Sequence, residues 1–301
     1  MIPLLPEISV VVTVLTVAGI VTIVGLDRVW EFRREARGRF LYLLPYILLL
    51  VGVLVLNSVL RTVGPTLSWL LSWQITEEIF FLEGEFVAVL QSHATPAATV
   101  YFSYIYVYGY IFLLVFPVIA YLVMQDDRPV RETIIAYALN YVIGVLCYVL
   151  FIAYGPRNVM PDLVDQLLYL HWPESNLLTT EVNSNVNVFP SLHTSLAVTV
   201  ALLAYRTRKQ YSAWLPISAL LAVSVVISTM YLGIHWLTDV IAGTGLAFAS
   251  VSAASWLTTP EHLDGRIGAL GRRLRNPIDR FARAALERVR ELTRDRIQLP
   301  I

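Results

Sequence analysis

Two short polar interruptions stand out in an otherwise apolar chain: Phe189-Pro190-Ser191-Leu192-His193, and Ser228-Thr229-Met230-Tyr231-Leu232-Gly233-Ile234-His235-Trp236-Leu237-Thr238-Asp239. Ionisable side chains are rare in such surroundings unless they carry chemistry. His235 and Asp239 are spaced i, i+4, which on a helix puts them on one face. A carboxylate there accepts a proton from one imidazole nitrogen, sets the tautomer and leaves the other nitrogen free as nucleophile or base. His193 opens another helix, with Pro190 suited to its first turn, where a missing N–H costs nothing. The free amides of that turn, with Ser191 beside them, suit an anion. Arg157, after Pro156, offers a planar fork for phosphate. Two histidines, an orienting carboxylate, a helix start and a guanidinium together suit phosphoryl transfer, in which one imidazole attacks phosphorus and the other protonates the departing oxygen.

The elements that must position these residues are membrane helices. The 301 residues are 57% hydrophobic and 15% charged, more apolar and less charged than soluble domains. The expectation is an all-α, polytopic integral membrane bundle of about seven helices: Ile8 to Leu26, Leu41 to Leu60, Phe102 to Met124, Thr133 to Tyr154, Ser191 to Tyr205, Ala213 to Met230 and Leu237 to Leu257. The first span lacks a preceding basic region and reads as a retained helix rather than a cleaved signal. Cys147 is the single cysteine, so an intrachain disulfide and a multi-cysteine metal site are excluded.

Charge sets the orientation. Arg28, Arg33, Arg34, Arg37 and Arg39, then Arg128 and Arg131, then Arg206, Arg208 and Lys209, and finally ten tail arginines all thread to one side. Only Arg61 and Arg157 fall on the other side, which implies an outside N-terminus and a cytoplasmic tail. The same threading puts Arg157, His193, His235 and Asp239 together at the outer face, an argument for one site that does not use the motifs.

These segments carry a resemblance. Pro-Ser-Leu-His and Ser-x-x-Tyr-x-Gly-x-His-x-x-x-Asp resemble the second and third signature motifs of the type 2 phosphatidic acid phosphatase superfamily. Phe189 to His193 and Ser228 to Leu232 are most similar to its inositol phosphorylceramide synthase branch. The likeness covers about Leu82 to Gly245. It implies a helical membrane fold in which His235 forms a phosphohistidine supported by Asp239 and His193 is the general acid. It also implies that Ser191 and Arg157, with Tyr231 of the third motif, bind substrate, and that no metal or cofactor is needed. Position 150 is Leu where the phosphatases carry Lys, the arginine sits in Tyr154-Gly155-Pro156-Arg157, and Thr229 stands where they carry Arg. The missing cations favour the transferase branch, which looks similar at both places.

The resulting expectation is a membrane phosphotransferase acting on lipid phosphoesters, with a hydroxyl acceptor or water, in the plasma membrane and with no nucleic acid partner. A lipid phosphate or pyrophosphate phosphatase is the alternative within enzymes. A lipid-binding protein or transporter with a degenerate site is the alternative outside them. A metal site on His193, His235 and Asp239 is disfavoured, because there is no tight ligand cluster and an anion site accounts for Arg157 better.

Three units are expected: two N-terminal helices in 1–62, a catalytic membrane domain in 63–258, and a basic amphipathic tail in 259–301. In the tail, Ile267, Leu270, Leu274, Ile278, Phe281, Ala285, Val289 and Leu292 form an apolar stripe opposed by arginines, suited to anionic lipid or to a partner helix. Thr66 to Thr99 mixes Trp69, Trp73, Phe80, Phe81 and Phe86 with Glu77, Glu78, Glu83 and Glu85, as an interfacial helix or a packing cover would. Tyr101, Tyr104, Tyr106, Tyr108 and Tyr110 read mostly as belt or packing residues, with contact to a polar headgroup as the alternative. The polar stretch Asn158 to Val188 joins Arg157 to His193 and reads as a lid or a solvated loop. His93, His171 and His262 match no motif and read as surface residues.

Overall fold

A computed structural model describes residues 4–175 and 188–259, without the side chains of 61 and 65. The amphipathic tail and the asparagines Asn183, Asn185 and Asn187 therefore lie outside the described residues. Helices dominate, and among the described residues the only β-type pairing is an isolated bridge between Gln74 and Ile152. Among the described residues, six helical runs are long and apolar enough to span a membrane: Leu4–Val24, Leu26–Gly64, Pro96–Leu122, Arg128–Leu150, Trp214–Tyr231 and Leu237–Leu257. The chain is an integral, multi-pass membrane protein. The remaining expected span forms a helix of 15 residues, Leu192–Arg206, only about 22 Å long at 1.5 Å per residue.

The elements run in order from α1 (Leu4–Gly19) through a π-helical turn (Ile20–Val24) to α2 (Leu26–Leu71). Next come the short α3 (Thr76–Glu83) and α4 (Phe86–Gln91), then α5 (Pro96–Tyr104), a second π-helical turn (Ile105–Gly109) and α6 (Tyr110–Leu122). After α7 (Arg128–Leu150) lie two small helices, α8 (Pro156–Val159) and α9 (Leu167–His171). The last three among the described residues are α10 (Leu192–Arg206), α11 (Trp214–Tyr231) and α12 (Leu237–Leu257).

Two expectations change here. The second span is not a 20-residue segment after a basic loop, because α2 is a single helix of 46 residues that takes in Arg28 to Arg39. Arg, Glu and Ala are good helix formers, and Gly25, at φ 86°, is where the chain turns. The stretch from Thr66 to Thr99 is not one interfacial helix either. It is the end of α2, then α3, α4 and the first turn of α5, with Ile79 and Val87 buried against Trp236.

The short α10 is the centre of the bundle. Leu196, Ala197, Val200, Leu203 and Ala204 are buried along it and share one core with Phe116 and Tyr121 of α6, Ile134 of α7 and Trp214 of α11. Small residues let these backbones approach closely, as packing within lipid requires. A polar rung crosses the same core. Asn140 of α7 donates to Thr199 Oγ1 at 3.1 Å and to Ala136 O at 2.7 Å, and it accepts from Ser195 Oγ. Each group is thereby satisfied without water.

Because α7 and α10 run antiparallel, the start of α7 meets the end of α10. Buried Glu132 there accepts from Arg128 Nε at 2.8 Å, Arg206 Nη1 at 3.3 Å and Thr258 Oγ1 at 3.3 Å. Arg39 reaches Met124 O and Asp127 at the same end, and Arg28 lies 5.1 Å over Tyr211. The arginines of three separate segments thus gather at one end of the bundle, and the N-terminus of α10 lies at the other.

Candidate active site

The site forms where α10 and α12 begin. Ser191 caps α10 by accepting Thr194 N–H at 3.4 Å, and its own N–H donates to the Asp239 carbonyl at 3.1 Å, tying the two helix starts together. Pro190 accordingly precedes the cap instead of sitting in the first turn, while His193 falls in that turn. The α11 helix ends at Tyr231, and the chain reverses through Gly233 at φ 73°, a conformation few side chains tolerate. His235 follows in this connection, with its N–H donating to Thr229 O at 3.0 Å.

His235 therefore does not share a helix face with Asp239 as the i, i+4 spacing implied, because α12 starts only at Leu237. The two meet through a cap. Asp239 Oδ2 accepts the Trp236 N–H at 2.9 Å and faces His235 Nδ1 at 3.3 Å. One oxygen thus closes the helix N-terminus and holds the imidazole, leaving Nε2 of His235 free of that contact. The His193 and His235 rings lie 6.5 Å apart between centroids.

Arg157 is buried, and its backbone N–H donates to Gly233 O at 3.3 Å, beside the turn that carries His235. Gly155 is forced by close approach, since a Cβ there would lie 2.5 Å from the Ile234 carbonyl oxygen. The guanidinium sits 4.9 Å from the Tyr169 ring, with a long 3.4 Å contact from Nη2 to its hydroxyl. Arg157 Nη1, Thr194 Oγ1 and Asp239 Oδ1 are buried polar atoms with no hydrogen-bond partner. Buried polar atoms are normally paired, so each of these three keeps hydrogen-bonding capacity that the described residues do not fill.

Tyr231 is engaged elsewhere. Its hydroxyl meets Thr99 Oγ1 at 2.9 Å and accepts Thr95 N–H at 3.2 Å, so it anchors α11 to α5. The described part of the stretch after Arg157 is folded rather than loose. Gln91 bonds the backbone of Asp165 in both directions, at 2.8 and 3.0 Å, and also donates to Tyr231 O at 2.9 Å.

Glu83 is a residue that sequence reasoning left among a group of acids. From the end of α3 its carboxylate accepts Leu237 N–H at 2.6 Å, Thr238 N–H at 2.9 Å and Thr238 Oγ1 at 3.0 Å. It fills the N-terminus of α12, where a negative charge is favoured, and no local motif ties it to a helix more than 150 residues away. Trp236 completes the mount, donating its indole N–H to Tyr154 O at 2.8 Å.

Membrane helices enclosing two facing histidines, a carboxylate behind one of them and a buried arginine define a class of integral membrane proteins built for phosphate chemistry. Comparison with protein families matches residues 68–253 to the PAP2 superfamily, more than half of the 301-residue chain, and the chain belongs to that superfamily. Its function is accordingly of the lipid phosphatase or phosphotransferase type. No curated protein and no solved structure gives a match.

Proposed function

We propose that the chain is a phosphotransferase that moves the phosphoryl or phosphoalcohol group of a lipid phosphoester to a hydroxyl acceptor through a phosphohistidine on His235. The observation that carries this reading is the 6.5 Å between the His193 and His235 rings, with Asp239 behind His235. At that spacing one nitrogen of each ring can approach a single phosphorus centre from opposite sides, at the 3 to 3.5 Å or so expected of reacting atoms.

In the first step Nε2 of His235 attacks phosphorus. The N–P bond forms as the bond from phosphorus to the departing lipid oxygen breaks, and that oxygen takes a proton from His193. Asp239 accepts a hydrogen bond from the Nδ1–H, which stays on the ring, and stabilises the positive charge there. In the second step the acceptor hydroxyl gives its proton to His193 while its oxygen attacks phosphorus, and the N–P bond breaks. Arg157, through the unpaired Nη1, and the start of α10 at Ser191 neutralise the phosphoryl oxygens, whose charge builds in the transition state.

Leu150 and Thr229, in place of two phosphatase cations, support the transferase over the phosphatase, and Phe189 to His193 supports an inositol-type polyol acceptor. The gathering of arginines at the end remote from the histidines supports an extracytoplasmic site. The test offers purified protein 32P-labelled lipid phosphates with and without inositol and other polyols, alongside His235→Ala. Labelled product that requires both the polyol and His235 is expected. Free phosphate released without a polyol would instead assign a phosphatase, and turnover by His235→Ala would overturn the mechanism.

A further inference from the structure

His193 is gripped by two aromatic rings. Tyr106 stacks on its imidazole at 4.5 Å between centroids and 21° between planes, and Tyr110 lies against it at 4.4 Å and 39°. Tyr106 lies in the π-helical turn Ile105–Gly109 that interrupts the helix between α5 and α6, and Tyr110 is the first residue of α6. Such turns insert one residue, re-aim the side chains around them and recur at functional sites. The neighbouring tyrosines are committed to the scaffold, Tyr101 to Ser224 Oγ at 2.8 Å and Tyr108 to Glu7 at 2.7 Å. Tyr106 and Tyr110 instead meet the ring that faces His235.

The chemistry of an imidazole lies in its plane, because both nitrogens sit on the ring edge. Rings packed on its faces block rotation about the Cβ–Cγ bond and leave only that edge open. We infer that Tyr106 and Tyr110 are positioning residues that hold the His193 ring in the orientation needed to deliver its proton to the leaving oxygen. The inference rests on the acid role given to His193 above. A general acid matters in proportion to how badly the leaving group needs a proton. A misaligned His193 therefore slows release of an alkoxide far more than release of a nitrophenolate, whereas damage to the fold slows both alike.

The experiment measures kcat/KM for n-dodecyl phosphate and 4-nitrophenyl phosphate, with inositol present throughout. It uses full-length protein carrying Tyr106→Leu, Tyr110→Leu, the two Phe variants or His193→Ala, with Tyr→Met replacing any Leu variant that does not fold. The Leu variants are expected to lose about 30-fold on the alkyl ester and no more than about threefold on the aryl ester, as expected for a displaced general acid. Phe, which keeps the ring, is expected to recover most of that loss. Equal losses on both esters, or none on either, with His193→Ala still selective for the alkyl ester, would overturn the inference and leave the two-histidine mechanism standing. Equal losses for His193→Ala itself would overturn the acid assignment and this inference with it.

Discussion

Asp239 and Glu132 are buried carboxylates at opposite ends of the same bundle, and their surroundings differ in one respect. Glu132 has both oxygens engaged, by Arg128, Arg206 and Thr258. Asp239 uses Oδ2 twice, for Trp236 and His235, and leaves Oδ1 without a partner. A saturated cluster closes a structure, joining the start of α7 to the ends of α10 and α12. An unsaturated one is costly to bury, and a bound polar ligand would offset that cost. The comparison teaches that the two carboxylates do different work: Glu132 ties three helices together with both oxygens, whereas Asp239 spends one oxygen on a cap and an imidazole and keeps the other unpaired.

Substitutions at the two ends should break in different ways. His235→Ala is expected to remove about 10⁴-fold or more of the activity with little change in melting temperature in detergent, measured by lipid phosphate turnover on folded protein. Arg157→Ala is expected to lower kcat by about 10²- to 10³-fold, the size of one lost charge-stabilising contact, and Arg157→Lys is expected to restore little of it, because a point charge cannot replace the fork. At the other end, Glu132→Gln is expected to cost about 1–2 kcal/mol of stability, less than a fully buried pair because both arginines are half-exposed. It should leave turnover per folded molecule close to wild type. Comparable loss of turnover at both ends would erase the distinction. Glu83→Gln is the mildest, expected to lower activity by severalfold and stability by about 1 kcal/mol, the value of a helix cap, since one acceptor oxygen remains for the α12 amides.

The grouping of the candidate residues is more legible in the sequence than its mounting. His193, His235, Asp239 and Arg157 are readable because polar residues at fixed spacing stand out against apolar helices, and the arginine asymmetry places them at one end. The reason for the His235–Asp239 pairing was not readable. The same four-residue spacing fits a helix face and a cap, and only the turn through Gly233 decides for the cap. Glu83 was hidden because its partners are separated from it by about half of the chain. Tyr106 and Tyr110 were hidden because the π-helical turn shifts the helix phase, so aromatic residues at alternate positions do not reveal which of them face inward. The unbroken α2 was missed because an arginine-rich run reads as a loop between spans, although its residues favour a helix.

The two-histidine account is tested most directly by catching its intermediate. Wild-type protein mixed with a 32P-labelled lipid phosphoester, quenched within milliseconds into alkali and digested, should carry label on one peptide, at His235. Label should accumulate when the hydroxyl acceptor is withheld and vanish in His235→Ala. Turnover at an undiminished rate with no labelled histidine, or with label on another residue, would contradict the account.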